Sequence, residues 1–249
     1  MIKYPNAKIN IGLNILRRRE DGYHEISSIF HPVKDVFDIL EIIPASTFSF
    51  SISGKCIPVK QNICEQAFNL IEADFGIHPV KIHLHKQIPI GAGLGGGSAD
   101  GAFTLSALNE LYNLQLSKVE LKKYALKLGA DCPFFIDNKT QYVTGIGEKM
   151  TPIDLDLNGF KLKFIFPELH ISTAEAYANV NPRIPHQPLL NIIDLPMKKW
   201  KEELYNDFEI SQFTKHPTLK LIKEKFYSDG ATYASMTGSG SVMYGLFKV

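Results

Sequence analysis

Tryptophan and cysteine are scarce: the 249 residues hold one Trp and three Cys. Cys56, Cys64 and Cys132 form no Cys-x-x-Cys pair, which argues against a disulfide framework or a zinc site and fits a reducing cytosol. An excess of either charge is lacking too. Twenty-seven Lys and Arg against 26 Asp and Glu leave a formal net charge of +1, no electrostatic case for binding nucleic acid or a membrane surface. The lone basic cluster, Arg17-Arg18-Arg19, runs at once into Glu20-Asp21 and reads as a solvated turn. The longest uncharged stretch, Gly230 to Phe247, is rich in Gly, Ser and Thr and is no membrane span. Met1-Ile-Lys-Tyr-Pro lacks the apolar run of a signal peptide. A soluble cytoplasmic protein is expected. With 45% apolar and 21% charged residues, the chain can form one large domain or two modest ones.

Against this ordinary background stands Pro89-Ile-Gly-Ala-Gly-Leu-Gly-Gly-Gly-Ser98-Ala-Asp100. Five glycines in seven positions make neither a strand nor a helix interior, because Gly gives up the most chain entropy on ordering. Val80 to Leu84 before it alternates as a strand. Ser98 to Tyr112 after it carries Ala102, Phe103, Leu105, Leu108 and Leu111 on one helical face, with Ser98 at the N-cap position. Strand, glycine loop and helix start together make an anion cradle, since backbone N–H groups and the helix dipole converge there. A P-loop needs Lys after its last glycine, and none is present. Gly91-x-Gly93-x-x-Gly96 satisfies the dinucleotide fingerprint. That fingerprint also needs a second parallel strand after the helix, whereas the chain enters another helix through the capping box Ser117-x-x-Glu120 and closes it at Gly129.

Other segments carry polar residues in telling places. Residues 7 to 16 alternate strictly, with Lys8, Asn10, Gly12 and Asn14 on one face. That face suits either a ligand or plain water. Asp21-Gly22-Tyr23-His24 sets an aromatic and an imidazole side by side after a turn, as a planar heterocycle requires: one face to stack on, one edge to hydrogen-bond. Asn62-x-x-Glu65 can open a helix by a capping box. Asp131, in Gly129-Ala-Asp-Cys-Pro-Phe-Phe135, cannot be buried cheaply without a cation or hydrogen bonds. Ser172-Thr-Ala-Glu175 starts a helix carrying Tyr177, which by itself suits a helix core. Residues 181 to 196, with Pro182, Pro185, Pro188 and Pro196, read as an irregular linker. Helices are expected near 198–208 and 217–227, the second with Pro217 in its first turn. Met236-Thr-Gly238-Ser-Gly240 turns into a final strand.

The glycine loop resembles the ATP-phosphate loop of the GHMP small-molecule kinases. Lys8-Ile-Asn10, Asp21-Gly-Tyr-His24, Gly-Ala-Asp131 and Gly238-Ser-Gly240 follow that family's order from residue 7 to residue 247. The Asp-Gly-Tyr-His element marks a branch of the family whose acceptor carries a cytidine diphosphate group. The resemblance implies an α+β fold in two lobes, with the active site in the interlobe cleft. It implies an ATP-binding domain over 1–150 and a C-terminal domain over 151–249. It implies ATP as co-substrate, with Mg²⁺ touching Ser98, and the loop Pro89, Ile90, Gly91, Ala92, Gly93, Leu94, Gly95, Gly96, Gly97, Ser98 and Ala99 around the triphosphate. Asn62 serves the adenine, the cap or both, and Lys86 is either a nucleotide contact or a solvated strand-end lysine. Asp131 takes the part of catalytic base, paired with Lys8. Asn10, Tyr23, His24, Thr173 and Tyr177 take the acceptor, Tyr23 by stacking on the base, His24 by reading its edge and Tyr177 by closing the other side. Cys132 stands where the family has Val, which puts a thiol beside the base.

Overall fold

The computed structural model describes residues 1–55 and 62–249; Cys56 lies outside the described residues. Strands β1 (Ile2–Lys3), β2 (Asn6–Arg18), β3 (His24–Phe37), β4 (Ile39–Pro44) and β5 (Ser49–Gly54) precede helix α1 (Ile63–Phe75). Strand β6 (Val80–Lys86) leads into α2 (Gly96–Leu111), α3 (Lys118–Leu128) and α4 (Cys132–Asp137). Strands β7 (Gln141–Gly145), β8 (Lys149–Pro152) and β9 (Phe160–Ile165) follow. The remainder is α5 (Thr173–Ala178), α6 (Leu189–Ile193), α7 (Trp200–Glu203), α8 (Phe208–Lys215), α9 (Pro217–Ser228), β10 (Tyr233–Met236) and β11 (Met243–Lys248). The fold is α+β. Among the described residues, no helix is long and apolar enough to cross a membrane.

These elements form two compact units, the first from 1–8, 32–90 and 95–139, the second from 9–31, 91–94 and 140–249. The second unit thus includes segments from before residue 150, because strands far apart in the chain share its sheet.

In the first unit a four-stranded sheet runs β1-β4-β6-β5, antiparallel except for the parallel β5–β6 pair. A parallel pair needs a crossover, and α1 supplies it. Local chemistry fixes its ends: the Asn62 side chain accepts from Cys64 N, Glu65 reaches back to Asn62 N, and Gly76 closes the helix with φ 60°. Leu40, Ile42, Ile82 and Leu84 of the sheet pack with Phe68 and Ile71 of α1 and Leu105 and Leu108 of α2. Each such fully buried side chain contributes about 1.5–3 kcal/mol relative to exposure. The expected box at Ser117 and Glu120 also forms and starts α3.

In the second unit one sheet runs β2-β3-β7-β8 and another, antiparallel throughout, β10-β11-β9. Leu13, Ile15 and Ile26 share a core with Phe208 of α8, Phe226 of α9, and Met236 and Met243. The helix expected over 198–208 is interrupted. α7 ends at Glu203, and the next residues pair with β2: Leu13 N donates to Tyr205 O and Asp207 N donates to Leu13 O. Asn206 and Asp207 then turn their side chains to other backbone groups, which a continuous helix would forbid. α9 forms as expected, with Pro217 in its first turn. Ser172 caps α5 by accepting from Glu175 N, but the Glu175 carboxylate bonds Lys215 at 3.0 Å rather than completing a box.

Candidate active site

Gly91, Gly93 and Gly95 take φ of 70°, 78° and 69°, the left-handed region that a side chain disfavours. Gly95, not the expected Ser98, is the N-cap of α2; Ser98 lies one turn inside, because the glycine backbone itself makes the bend into the helix. Ala92, Leu94 and Ala99 are buried while Gly91 and Gly97 are exposed, so alternate residues anchor the loop and present backbone to solvent. Pro89 is half-buried and Ile90 exposed.

The first unit joins the α2 end of this loop to a charged pair. A Cβ on Gly95 would stand 3.0 Å from Lys8 Cγ and 3.1 Å from Phe135 Cζ, so the lysine stem lies directly under the loop. Lys8 Nζ reaches 3.6 Å from Asp131 Oδ2. The side chain of Lys8 is 5% exposed and that of Asp131 is 33% exposed. Burial lowers the Lys8 ammonium below its ordinary pKa, and Asp131 only partly offsets this. Asp131 stands at the start of α4, just ahead of Pro133, with its side chain making no cap bond. Burial pushes the neighbouring Cys132 thiol up to about 12, so it is an inert packing group. Asn62 spends its amide oxygen on the α1 cap.

Lys86 is not a solvated strand end. Only 2% exposed, its ammonium bonds Asp38 and, at 2.6 Å, Asp100. Asp38 and Asp100 are functional candidates that sequence reasoning missed. Each sits in an apolar stretch, as Asp131 does, and that was the available signal.

The second unit holds the other end of the loop. A Cβ on Gly93 would come 2.1 Å from Thr237 O, and one on Gly238 2.9 Å from the Gly93 Cα. The Gly238-Ser-Gly240 turn therefore packs backbone to backbone on the loop. Thr237 Oγ1 accepts from Asn10 N at 3.1 Å and donates to Gly93 O at 3.1 Å. Asn10 and Asn14 are buried, so the polar face of β2 does not meet bulk water. Asn10 Nδ2 also donates to Ser28 Oγ at 2.8 Å. The His170 ring lies against Gly91, 2.4 Å from where a Cβ would be, and no motif had pointed to it.

His24 and Tyr177 stack on each other, centroids 4.9 Å apart and planes 23° apart, with Phe208 edge-on to Tyr177 at 4.9 Å. Burial, then the Arg18 charge, lowers the His24 pKa, so the ring is neutral near pH 7 and offers one donor and one acceptor. Tyr23 is 61% exposed. Thr173 Oγ1 lies 3.4 Å from Ser239 Oγ.

A glycine anion loop entering a helix beside a buried lysine and its partly exposed aspartate partner defines a small-molecule kinase of the GHMP class. The model of the GHMP kinases N terminal domain matches residues 62–139. A mevalonate kinase structure from Methanococcus jannaschii shares the fold at a TM-score of 0.67 and 16% identity, covering 100% of this chain and 90% of its own. Much higher identity links the chain to one branch. It is 50% identical to the 4-diphosphocytidyl-2-C-methyl-D-erythritol kinase of Azobacteroides pseudotrichonymphae genomovar. CFP2 over 100% of this chain and 94% of the relative. The Parabacteroides distasonis enzyme of the same name is 46% identical over 100% and 92%. A crystal structure of 4-(cytidine 5'-diphospho)-2C-methyl-D-erythritol kinase superposes with a TM-score of 0.86 at 33% identity, covering 99% and 90%. The chain belongs to the 4-diphosphocytidyl-2-C-methyl-D-erythritol kinase family.

Proposed function

We infer that this chain transfers the γ-phosphoryl group of ATP to the 2-hydroxyl of 4-diphosphocytidyl-2-C-methyl-D-erythritol, a step of non-mevalonate isoprenoid precursor synthesis. The observation that carries the chemistry is the asymmetric pair: Lys8 buried, Asp131 one-third exposed, 3.6 Å apart. Phosphoryl transfer is mostly positioning and charge stabilisation. Asp131 accepts the proton of the acceptor hydroxyl, and Lys8 pairs with that carboxylate and opposes charge on the transferring group. Backbone N–H groups of residues 91–98 hold the phosphates. Magnesium accompanies the ATP. Ser98, in the first turn of α2, would offer its hydroxyl to that ion, which would supply charge neutralisation on the phosphates. Asn62 and Lys86 lie on the nucleotide side. Tyr23, His24 and Tyr177 take the cytosine, for which the His24–Tyr177 stack parts or slides, and Asn10 and Thr173 take the methylerythritol side. The protein works in the cytoplasm, on a small molecule, away from nucleic acid and membranes.

The test is ADP release with three acceptors: the cytidine-bearing substrate, homoserine and mevalonate. Turnover with the first alone is expected. Turnover with either of the others, or with none, would overturn the assignment. Calorimetric titration with CDP, UDP and GDP locates the specificity: selective CDP binding, lost in His24→Ala, is the expected outcome.

A further inference from the structure

Lys86 sits at the C-terminal end of β6, three residues before the glycine loop, and Asp100 lies in the first two turns of α2, just after it. Asp38, between β3 and β4, comes from a distant part of the chain. All three are at most 2% exposed. The Asp38 carboxylate is fully used: Oδ1 accepts from Gln87 N at 2.6 Å and Ile88 N at 2.8 Å, while Oδ2 bonds the Lys86 ammonium. Lys86 Nζ then donates to Asp100 Oδ2 at 2.6 Å. Asp100 Oδ1 has no hydrogen-bond partner. The ammonium also lies directly beneath the loop, since a Cβ on Gly96 would come 3.0 Å from Nζ. One carboxylate therefore grips the backbone entering the loop, and a cation links it to the helix leaving the loop.

We propose that Asp38, Lys86 and Asp100 are positioning residues that clamp the two ends of the phosphate loop at a fixed separation, so that its N–H groups are set for ATP before ATP arrives. The proposal rests on the kinase reading above, and it gives Lys86 a task through Asp38 and Asp100 rather than direct nucleotide contact. Two buried carboxylates share one cation, and that arrangement is expensive unless it fixes a geometry. Pre-organisation raises affinity by removing the ordering penalty from the binding step. The three members are not equivalent. Asp38 must offer both oxygens as acceptors, since it alone answers both the ammonium and two N–H groups. Asp100 needs only to offer an oxygen to Lys86, and its Oδ2 does so at 2.6 Å.

The experiment is calorimetric titration of the full chain with magnesium ATP, and separately with CDP, whose proposed ligands all lie outside the triad. For Asp38→Asn, the ATP Kd should rise about tenfold or more, with the CDP Kd within about twofold of the parent. Asp100→Leu should behave likewise, and Asp100→Asn should stay within about threefold. Should Asp38→Asn not fold, the Asp100 pair decides alone. An unchanged ATP Kd in Asp38→Asn or Asp100→Leu overturns the proposal, as does equal loss of ATP and CDP binding, which would mark a merely structural cluster. A parent protein that binds no ATP would instead overturn the kinase reading.

Discussion

Gly97 tests the phosphate loop most directly, because the protein gives no reason of its own for a glycine there. It lies in the first turn of α2, is exposed, and has no atom within 4 Å of where a Cβ would stand. Its backbone is not in the left-handed region. Gly101, one turn on, differs: its Cβ would meet Ile63 at 2.9 Å and Leu128 at 3.2 Å, so packing explains it. At a compatible position Gly→Ala stabilises by about 0.4–1 kcal/mol through the unfolded chain's entropy. Gly97→Ala should therefore raise Tm by roughly 1–4 °C at this chain length. If the space beside Gly97 belongs to phosphate, the same methyl overpacks the bound state by about 1–3 kcal/mol. At about 1.4 kcal/mol per decade, ATP affinity falls roughly fivefold to more than a hundredfold. Differential scanning calorimetry reads the first effect and titration with ATP the second. A variant that is more stable but weaker for ATP supports the cradle. An ATP Kd within twofold of the parent would refute the reasoning, because the glycine would then have no phosphate to accommodate.

Asp131→Asn should lower kcat by about 10²–10⁴-fold, the usual loss of a general base, while the CDP Kd stays near the parent value; near-normal kcat in a steady-state assay would remove Asp131 from the chemistry. Stability should also depend on pH through His31, whose imidazole is half-buried, bonded to Thr140 Oγ1 at 2.8 Å, and pulled by burial from 6.5 down to about 4. A histidine held neutral binds its proton more readily when unfolded, so its contribution is complete above pH 6.5 and disappears as pH falls towards 4. At about 1.4 kcal/mol per pH unit, up to about 3 kcal/mol is lost over that window. Urea midpoints at pH 7 and pH 5 should therefore converge in His31→Gln, and an unaltered gap would show that other groups set the acid limb.

What was legible in the sequence was what is local in the chain. The capping boxes at Asn62 and Ser117 each span four residues, and both formed. The glycine loop needed no partner to announce itself, since positive φ at 91, 93 and 95 is a demand each glycine meets alone. Lys8 and Asp131 are 123 positions apart, and only the family's motif order joined them. Where neither a local rule nor a motif applied, reading failed. Lys86 reads as a nucleotide contact or a strand-end lysine, not as the centre of a charged cluster, because its partners lie 48 and 14 positions away. The helix expected over 198–208 broke because Asn206 Nδ2 donates to Met236 O at 2.9 Å and Gly238 O at 2.8 Å, and Asp207 Oδ2 accepts from Ile15 N at 2.8 Å. Local propensity cannot anticipate bonds to backbone 30 and 192 residues away.

That break has a functional sense. The Asn206 amide holds the Met236–Gly238 backbone, whose Thr237 hydroxyl in turn receives Asn10 N and reaches Gly93 O. A turn whose own glycines lack side chains has few means to fix itself, because glycine spends the most entropy on ordering. Its geometry must come from outside, and Asn206, 1% exposed, supplies two hydrogen bonds from one rigid amide. The stretch from 181 to 230, which shows no motif, therefore contributes to the loop by holding the turn that packs on it. Buried acceptors left without partners cost about 1–3 kcal/mol each, so Asn206→Leu would leave Gly238 O without this donor and Met236 O to the Ser235 hydroxyl at 3.3 Å, on the turn beside Gly93. The damage should reach ATP affinity before it reaches the His24–Tyr177 stack, because two of the amide's bonds go to the turn and the third, accepted from Phe208 N at 3.0 Å, holds only the backbone at the start of α8: titration with ATP should show the larger loss and titration with CDP the smaller, and the reverse order would mean that Asn206 serves the acceptor side through Phe208 instead.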